Sequence, residues 1–183
     1  MSLPVTLRRF TVDELERFPP DGNHYELLDG CLIVTAQAGL PHQTVATRLS
    51  MVLGAFFRQE PGIEVWARGA IEIRPDTHLE PDILIGKMPD IARWDAVRDH
   101  WLAVEICGVA SRVFDREVKR DAYLQLGVKE VWRVDLDLRC IFVSRPGGPS
   151  DIHHDTTLSW YSPSGRELNI SIPALFRGLP PGG

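Results

Sequence analysis

Val45, Leu49, Val52, Leu53 and Phe56 recur every three or four positions after Pro41, so they share one face of a helix that Pro61-Gly62 must end. The stretch before it has another pattern. HYELLDGCLIV (24–34) holds two apolar runs around Asp29-Gly30, the preferred two-residue turn of a hairpin. Thr11 with Glu14 three residues on is a capping box for a short first helix, and Pro19-Pro20-Asp21-Gly22 breaks the chain after it. IEVWARGAIEIR (63–74) reads as two strands joined near Arg68-Gly69, and residues 81–86 as a third. An irregular loop (87–100) leads to WLAVEIC (101–107), whose near-continuous apolarity predicts a buried strand. A helix from about Arg112 to Leu126 stops at Gly127. EVWRVD and RCIFVSR are two more strands, paired across Leu136-Asp137, and SWYSPSGRELNISIPALF reads as a small polar hairpin and closing turn. The order is therefore helix, hairpin, long helix, strands, helix, strands. That predicts an α/β fold, a mixed central sheet flanked by helices in one domain over 1–183, with 1–20 as lead-in and 145–183 as hairpin and tail.

Length and composition sharpen this picture. The 183 residues suffice for one real core, and 44% hydrophobic content fits a soluble globular protein. No apolar run approaches the roughly 18 residues of a membrane span. The N-terminus lacks the apolar core of a secretory signal, so the expected address is cytoplasmic, with no membrane partner. Cys31, Cys107 and Cys140 are odd in number and each lies in an apolar stretch, which predicts reduced core residues rather than a disulfide framework or thiolate cage. The net charge of −5 excludes a generic, strongly basic nucleic-acid binder. Locally, Arg112, Arg116, Lys119 and Arg120 outnumber Asp115, Glu117 and Asp121 by one, which permits phosphate contact.

Two acids sit where acids are costly. Asp82 opens the strand of LEPDILIG, and Glu105, twenty-three positions on, lies inside WLAVEIC, where an unpaired charge costs several kcal/mol. If those strands are neighbours, the carboxylates meet at one edge of the sheet. Magnesium suits such a pair, since it takes one or two carboxylates together with water and phosphate oxygens. A cationic partner is available on the 112–126 helix. Phe114, Val118, Ala122 and Leu126 should face the sheet, with Asp115, Lys119 and Tyr123 as the adjacent stripe. His153-His154-Asp155 alternate across a strand and read as surface, and Glu80 should point away from Asp82 for the same reason.

Pro-Asp at a strand start followed by a Glu in an apolar strand resembles the PD-(D/E)XK nuclease superfamily, the restriction-endonuclease-like fold. YELLDGCLIV, PHQTVATRL, EPDILI, WLAVEI and DREVKRDAYLQLGVKEVWRVD together resemble the Uma-two family (DUF820), short bacterial proteins of restriction-endonuclease type, over Tyr25 to Val143. The resemblance implies Asp82 and Glu105 as ligands of Mg²⁺ or Mn²⁺, with Glu26 as an additional one. It implies Lys119 and Tyr123 as catalytic side chains, in step with Gly127 and Trp132. His42 matches a family histidine, although near a helix start its expected role is structural or solvent-facing. The implied activity is metal-dependent hydrolysis of DNA phosphodiester bonds, by a homodimer. Two departures stand out. The superfamily's lysine two residues after the second acid is Cys107 here, so Lys119 must supply the charge. CGVASRVFD replaces a serine–proline–serine-like turn, of which only Ser111 and Asp115 clearly remain. The missing lysine and the acidic net charge support a second hypothesis, a catalytically inactive binding or assembly module on the nuclease fold. A Cys107 nucleophile ranks below both, because no histidine lies nearby in sequence to lower its pKa.

Overall fold

The Asp29-Gly30 turn forms as predicted, with φ of +47° and +75° at its two residues, the left-handed pair that a type I′ hairpin needs. It joins β1 (Asn23–Leu28) to β2 (Cys31–Ala36) in full antiparallel register. The computed structural model describes residues 8–108, 118–148 and 151–180. Ahead of β1, Thr11 caps α1 (Val12–Leu15) in a complete capping box with Glu14. Next comes α2 (Leu40–Phe57), with Pro41 in its first turn, where a missing amide hydrogen costs nothing.

Six strands follow: β3 (Ile63–Ala67), β4 (Ile71–Ile73), β5 (Thr77–Leu79), β6 (Ile83–Lys87), β7 (His100–Cys107) and, after α3 (Arg120–Gln125), β8 (Glu130–Asp135). The chain closes with β9 (Cys140–Ser144), β10 (Ile152–His154), β11 (Thr157–Tyr161), β12 (Glu167–Ser171) and α4 (Ile172–Leu175). Among the described residues these strands form three sheets, ordered β2-β1-β5-β4, β10-β9-β8-β7-β6-β3 and β11-β12. The six-stranded sheet is mixed, since β7 pairs β6 antiparallel and β8 parallel. Parallel neighbours need a crossover, and the connection holding α3 provides it.

Two cores lie on opposite faces of the large sheet. On one, Val45, Leu49, Leu53 and Phe57 of α2 pack on Ile83, Ile85, Leu102, Val104, Trp132 and Val134. On the other, Leu84, Ala103 and Val131 meet Ala122 and Tyr123 of α3 and Ile71 and Leu79 of the small sheet. β7 is covered on both sides, which is why its sequence is an almost unbroken apolar run.

Three expectations change. The C-terminal segment is a structural wall rather than a polar appendage, because Leu158, Trp160, Ile170, Ile172, Leu175 and Phe176 all enter the α2 core. Trp160 stands edge-on to Trp132 at 5.5 Å and to Phe57 at 5.7 Å. Cys31 is exposed, because β2 is an outer strand of its sheet. The inward face of α3 is turned by one residue: Val118 is exposed and Leu126 half-buried, while Lys119, Ala122 and Tyr123 are buried. The carboxylates below them select that face, as the next section describes. Gly127, at φ +91°, ends α3 as expected. Residues 112–117 of the predicted helix, with Arg112, Phe114, Asp115 and Arg116, and Ser111 before it, lie outside the described residues.

Candidate active site

Ile83 pairs with Val104 across β6 and β7, so Asp82, one residue earlier, stands opposite Glu105. Residues facing one another across an antiparallel pair project to the same side. Both acids therefore belong to the α3 side of the sheet, beyond Leu84 and Ala103. Asp82 Oδ2 accepts the Ile106 amide at 2.8 Å and lies 3.0 Å from His42 Nε2. Its Oδ1 accepts no hydrogen bond from the described residues. Glu105 Oε1 accepts from the Tyr123 hydroxyl at 2.5 Å and from Lys119 Nζ at 3.1 Å. The i, i+4 spacing of Lys119 and Tyr123 aims both at that one oxygen.

Glu26 comes to the same point from the small sheet. Its Oε2 lies 2.7 Å from Lys119 Nζ and its Oε1 accepts the Glu80 amide at 2.7 Å. The ammonium thus lies between two carboxylates, all three side chains nearly out of water. Burial first, then the charge of Glu105, pushes the Tyr123 phenol well above its ordinary pKa, so it acts as a neutral donor.

Glu26, Asp82, Glu105 and Lys119 line a cleft of about 330 Å³ between the sheets and the start of α2, with Tyr123 buried behind them. Among the described residues its lining collects four carboxylates (Glu26, Glu80, Asp82, Glu105) and two permanent cations (Lys119, Arg68), a net charge of two negative when its histidines are neutral. Among the described residues no three His, Cys, Asp or Glu side chains gather as an ion cage. The donor set fits a hard divalent cation held by two facing carboxylates, the rest of its shell being water and phosphate oxygen, as magnesium prefers. Of the residues read from the sequence, Asp82, Glu105, Lys119, Tyr123 and Glu26 are all brought together here.

The placement of several neighbours differs from that reading or was missed by it. His42 is bonded to Asp82 and its Nδ1 is buried without a partner among the described residues, so it belongs to the site and is not solvent-facing. Its signal was the histidine position of the family pattern. Glu80 lines the cleft with Asp82 instead of pointing away, because Pro81 is a corner between two sheets and strand alternation does not carry across it. Arg68 donates to Glu80 at 3.0 Å and contacts His24 at 2.6 Å. Nothing in their spacing announces that cluster. Cys107 is fully buried beside Asp135 of β8 and does not line the cleft. His153 and His154 lie on β10 at the far edge of the large sheet, away from the cleft.

The comparisons place the fold and the family of the chain. A structure of a "putative nuclease belonging to DUF820" from Anabaena variabilis ATCC 29413 superposes with a TM-score of 0.70 at 19% identity, covering 91% of this chain and 97% of that one. At that identity the likeness establishes a shared fold, a mixed α/β single domain. No curated protein matches the chain. The family model for Uma2, described as "Putative restriction endonuclease", matches residues 12–172, and the chain belongs to that family.

Proposed function

We propose that the protein is a metal-dependent endonuclease that hydrolyses DNA phosphodiester bonds in the cleft between its sheets. The observation that carries the reading is the opposition of Asp82 and Glu105 across β6 and β7, with the Lys119 ammonium 3.1 Å from Glu105. Family membership supports a nuclease and nucleic acid as its substrate. Asp82 and Glu105 would hold Mg²⁺ or Mn²⁺. Such an ion lowers the pKa of its water and offsets charge on the phosphoryl oxygens.

The remaining work falls to this chain's own side chains. Lys119 supplies the positive charge that Cys107 cannot, orienting the attacking water and countering charge at the phosphorus. Both Glu26 oxygens are engaged by Lys119 and the Glu80 amide, so we assign Glu26 to holding the lysine rather than to meeting the ion directly. Tyr123 fixes Glu105, and His42 with the Ile106 amide fixes Asp82, which limits the reorganisation left for the reaction. Cutting both strands of a duplex takes two such sites, and we propose a homodimer as their source. Among the described residues no helix is long and apolar enough to cross a membrane.

Calorimetric titration with Mn²⁺ tests the centre of the reading. Wild type should bind, and Asp82→Asn and Glu105→Gln at matched stability should not. A wild type that takes up no ion even with DNA present refutes metal-dependent cleavage and leaves the fold as a binding module.

A further inference from the structure

We propose that Arg68 is a contact to the nucleic-acid backbone, and that a groove along α2 carries the strand away from the carboxylates. The proposal rests on the nuclease reading above and adds the strand's path to it. Arg68 occupies the corner between β3 and β4 at φ +60°, a left-handed conformation that an arginine rarely adopts. Its amide donates to the carbonyl of Asp82 at 2.8 Å. The next residue is Gly69, where a Cβ would stand 2.9 Å from Leu84 Cβ, so the corner is seated directly on β6. Arg68 and Asp82 are thereby locked as one unit.

The guanidinium is only partly used. Nη2 serves both His24 and Glu80, while Nη1 and Nε make no hydrogen bond to the described residues, and the side chain is 48% exposed. A planar fork with free donors beside an acidic centre is the chemistry that recognises a phosphate through two hydrogen bonds.

The surroundings give the strand a direction. Arg68, His42, Gln43 and Asp82 border both the catalytic cleft and a second depression of about 380 Å³. That second groove runs along α2, where Gln43, Thr47 and Ser50 form one stripe at i, i+4 and i+7. The cleft side holds Glu26, Glu80 and Glu105 around the one ammonium of Lys119 among the described residues, a net negative wall that repels a polyanion. Among the described residues of the groove lining, Asp82 is the one carboxylate and Arg68 the one permanent cation, with uncharged side chains such as Thr47, Ser50 and Met51 beyond them. A phosphodiester chain reacting at Asp82 and Glu105 is therefore steered past Arg68 onto α2.

The test is anisotropy of a short fluorescent single-stranded DNA over a salt series. Calcium is present as an oxygen-seeking ion, and the strand is checked for integrity afterwards. Arg68→Gln should weaken binding and reduce the slope of log K against log salt by about 0.7, one phosphate contact on a single strand. Arg68→Lys should restore the slope, which a merely structural defect would not. Ser50→Glu, at a half-buried position in the groove lining, should weaken binding without touching the carboxylates. Wild-type binding with an unchanged slope in Arg68→Gln overturns the Arg68 contact and leaves the nuclease reading standing. Unchanged binding by Ser50→Glu overturns the path along α2. A wild type that binds no strand overturns the proposal and the nuclease reading together.

Discussion

Replacing Lys119 with methionine should destabilise the fold sharply, although lysines are ordinarily replaceable. Its ammonium lies 2.7 Å from Glu26 and 3.1 Å from Glu105, and the three residues are 4%, 2% and 6% exposed. Methionine fills most of the volume of the stem, so the cavity term is small. What remains is electrostatic, with two nearly buried carboxylates left facing each other and no ammonium between them. Removing one partner of a buried ion pair costs about 3–5 kcal/mol. For a domain of this size each kcal/mol lowers Tm by about 2–4 °C, so the midpoint should fall by roughly 6–20 °C. Urea and thermal melts followed by circular dichroism read both quantities, and an unchanged m-value confirms that stability alone has moved. Adding Glu26→Gln to the variant removes one of the two stranded charges and should recover about 1–3 kcal/mol through their coupling. A Lys119→Met protein within about 1 kcal/mol of wild type would refute the buried-triad account. So would a double variant no more stable than the single one.

Three further outcomes follow from the same structure. Tyr123→Phe loses the 2.5 Å donation to Glu105 and should cost about 1–3 kcal/mol at neutral pH in urea melts. With Tyr123 raised, the native state keeps a proton that the unfolded chain releases above about pH 10. Stability should therefore fall with alkaline pH, less steeply in the Phe variant. Burial lowers the His78 imidazole, but its hydrogen bonds to Glu80 and Glu72 outweigh this and leave it raised. Its contribution is full below about pH 6.5 and fades as pH climbs through the folded value. The stability gap between wild type and His78→Gln should shrink accordingly on going from acid to neutral pH. Burial depresses His100, which works in the opposite sense, so the difference between variants is the quantity to read and not the wild-type curve. Trp160→Ala should cost about 3–5 kcal/mol, since the indole closes the α2 core against Trp132 and Phe57. A loss below about 1 kcal/mol there would mean that the C-terminal hairpin is not part of the core.

Periodicity made the local elements legible. The Asp29-Gly30 hairpin, the face of α2 and the continuous run of β7 each advertise their environment within a dozen residues. What failed was information that no single window holds. β5 is three residues long, too short a run for alternation to register; it folds straight back on β4, and its other partner, β1, lies a long stretch of sequence away. The tail looked polar because each of its strands buries only alternate positions, Leu158 and Trp160 on one and Ile170 on the other. The face of α3 was misjudged by one residue because apolar spacing favoured Val118 and Leu126. The two sheets beneath offer Glu105 and Glu26 instead, and a buried carboxylate draws a cation more strongly than a methyl. The same long-range logic hid His42, whose partner lies forty positions away in sequence.

The displaced lysine also gives Glu26 a reason to be buried. A lysine two residues after Glu105 would point to the same side of β7 and be fixed by the strand itself. Here that position is Cys107, and the cation arrives from α3, an element whose side chain must span a gap and could lie elsewhere. An ammonium on a four-carbon stem loses substantial rotamer freedom when it is held. Some second contact must offset that cost, or the charge will not stay beside Glu105. Glu26 supplies it from a different sheet, with its own orientation set by the Glu80 amide. A lysine that reaches Glu105 from the helix side thus calls for an acid on the opposite wall, and Lys119 and Glu26 make sense only together. Glu26→Gln should accordingly loosen Lys119 without removing it, so that Mn²⁺ binding at Asp82 and Glu105 survives while cleavage declines.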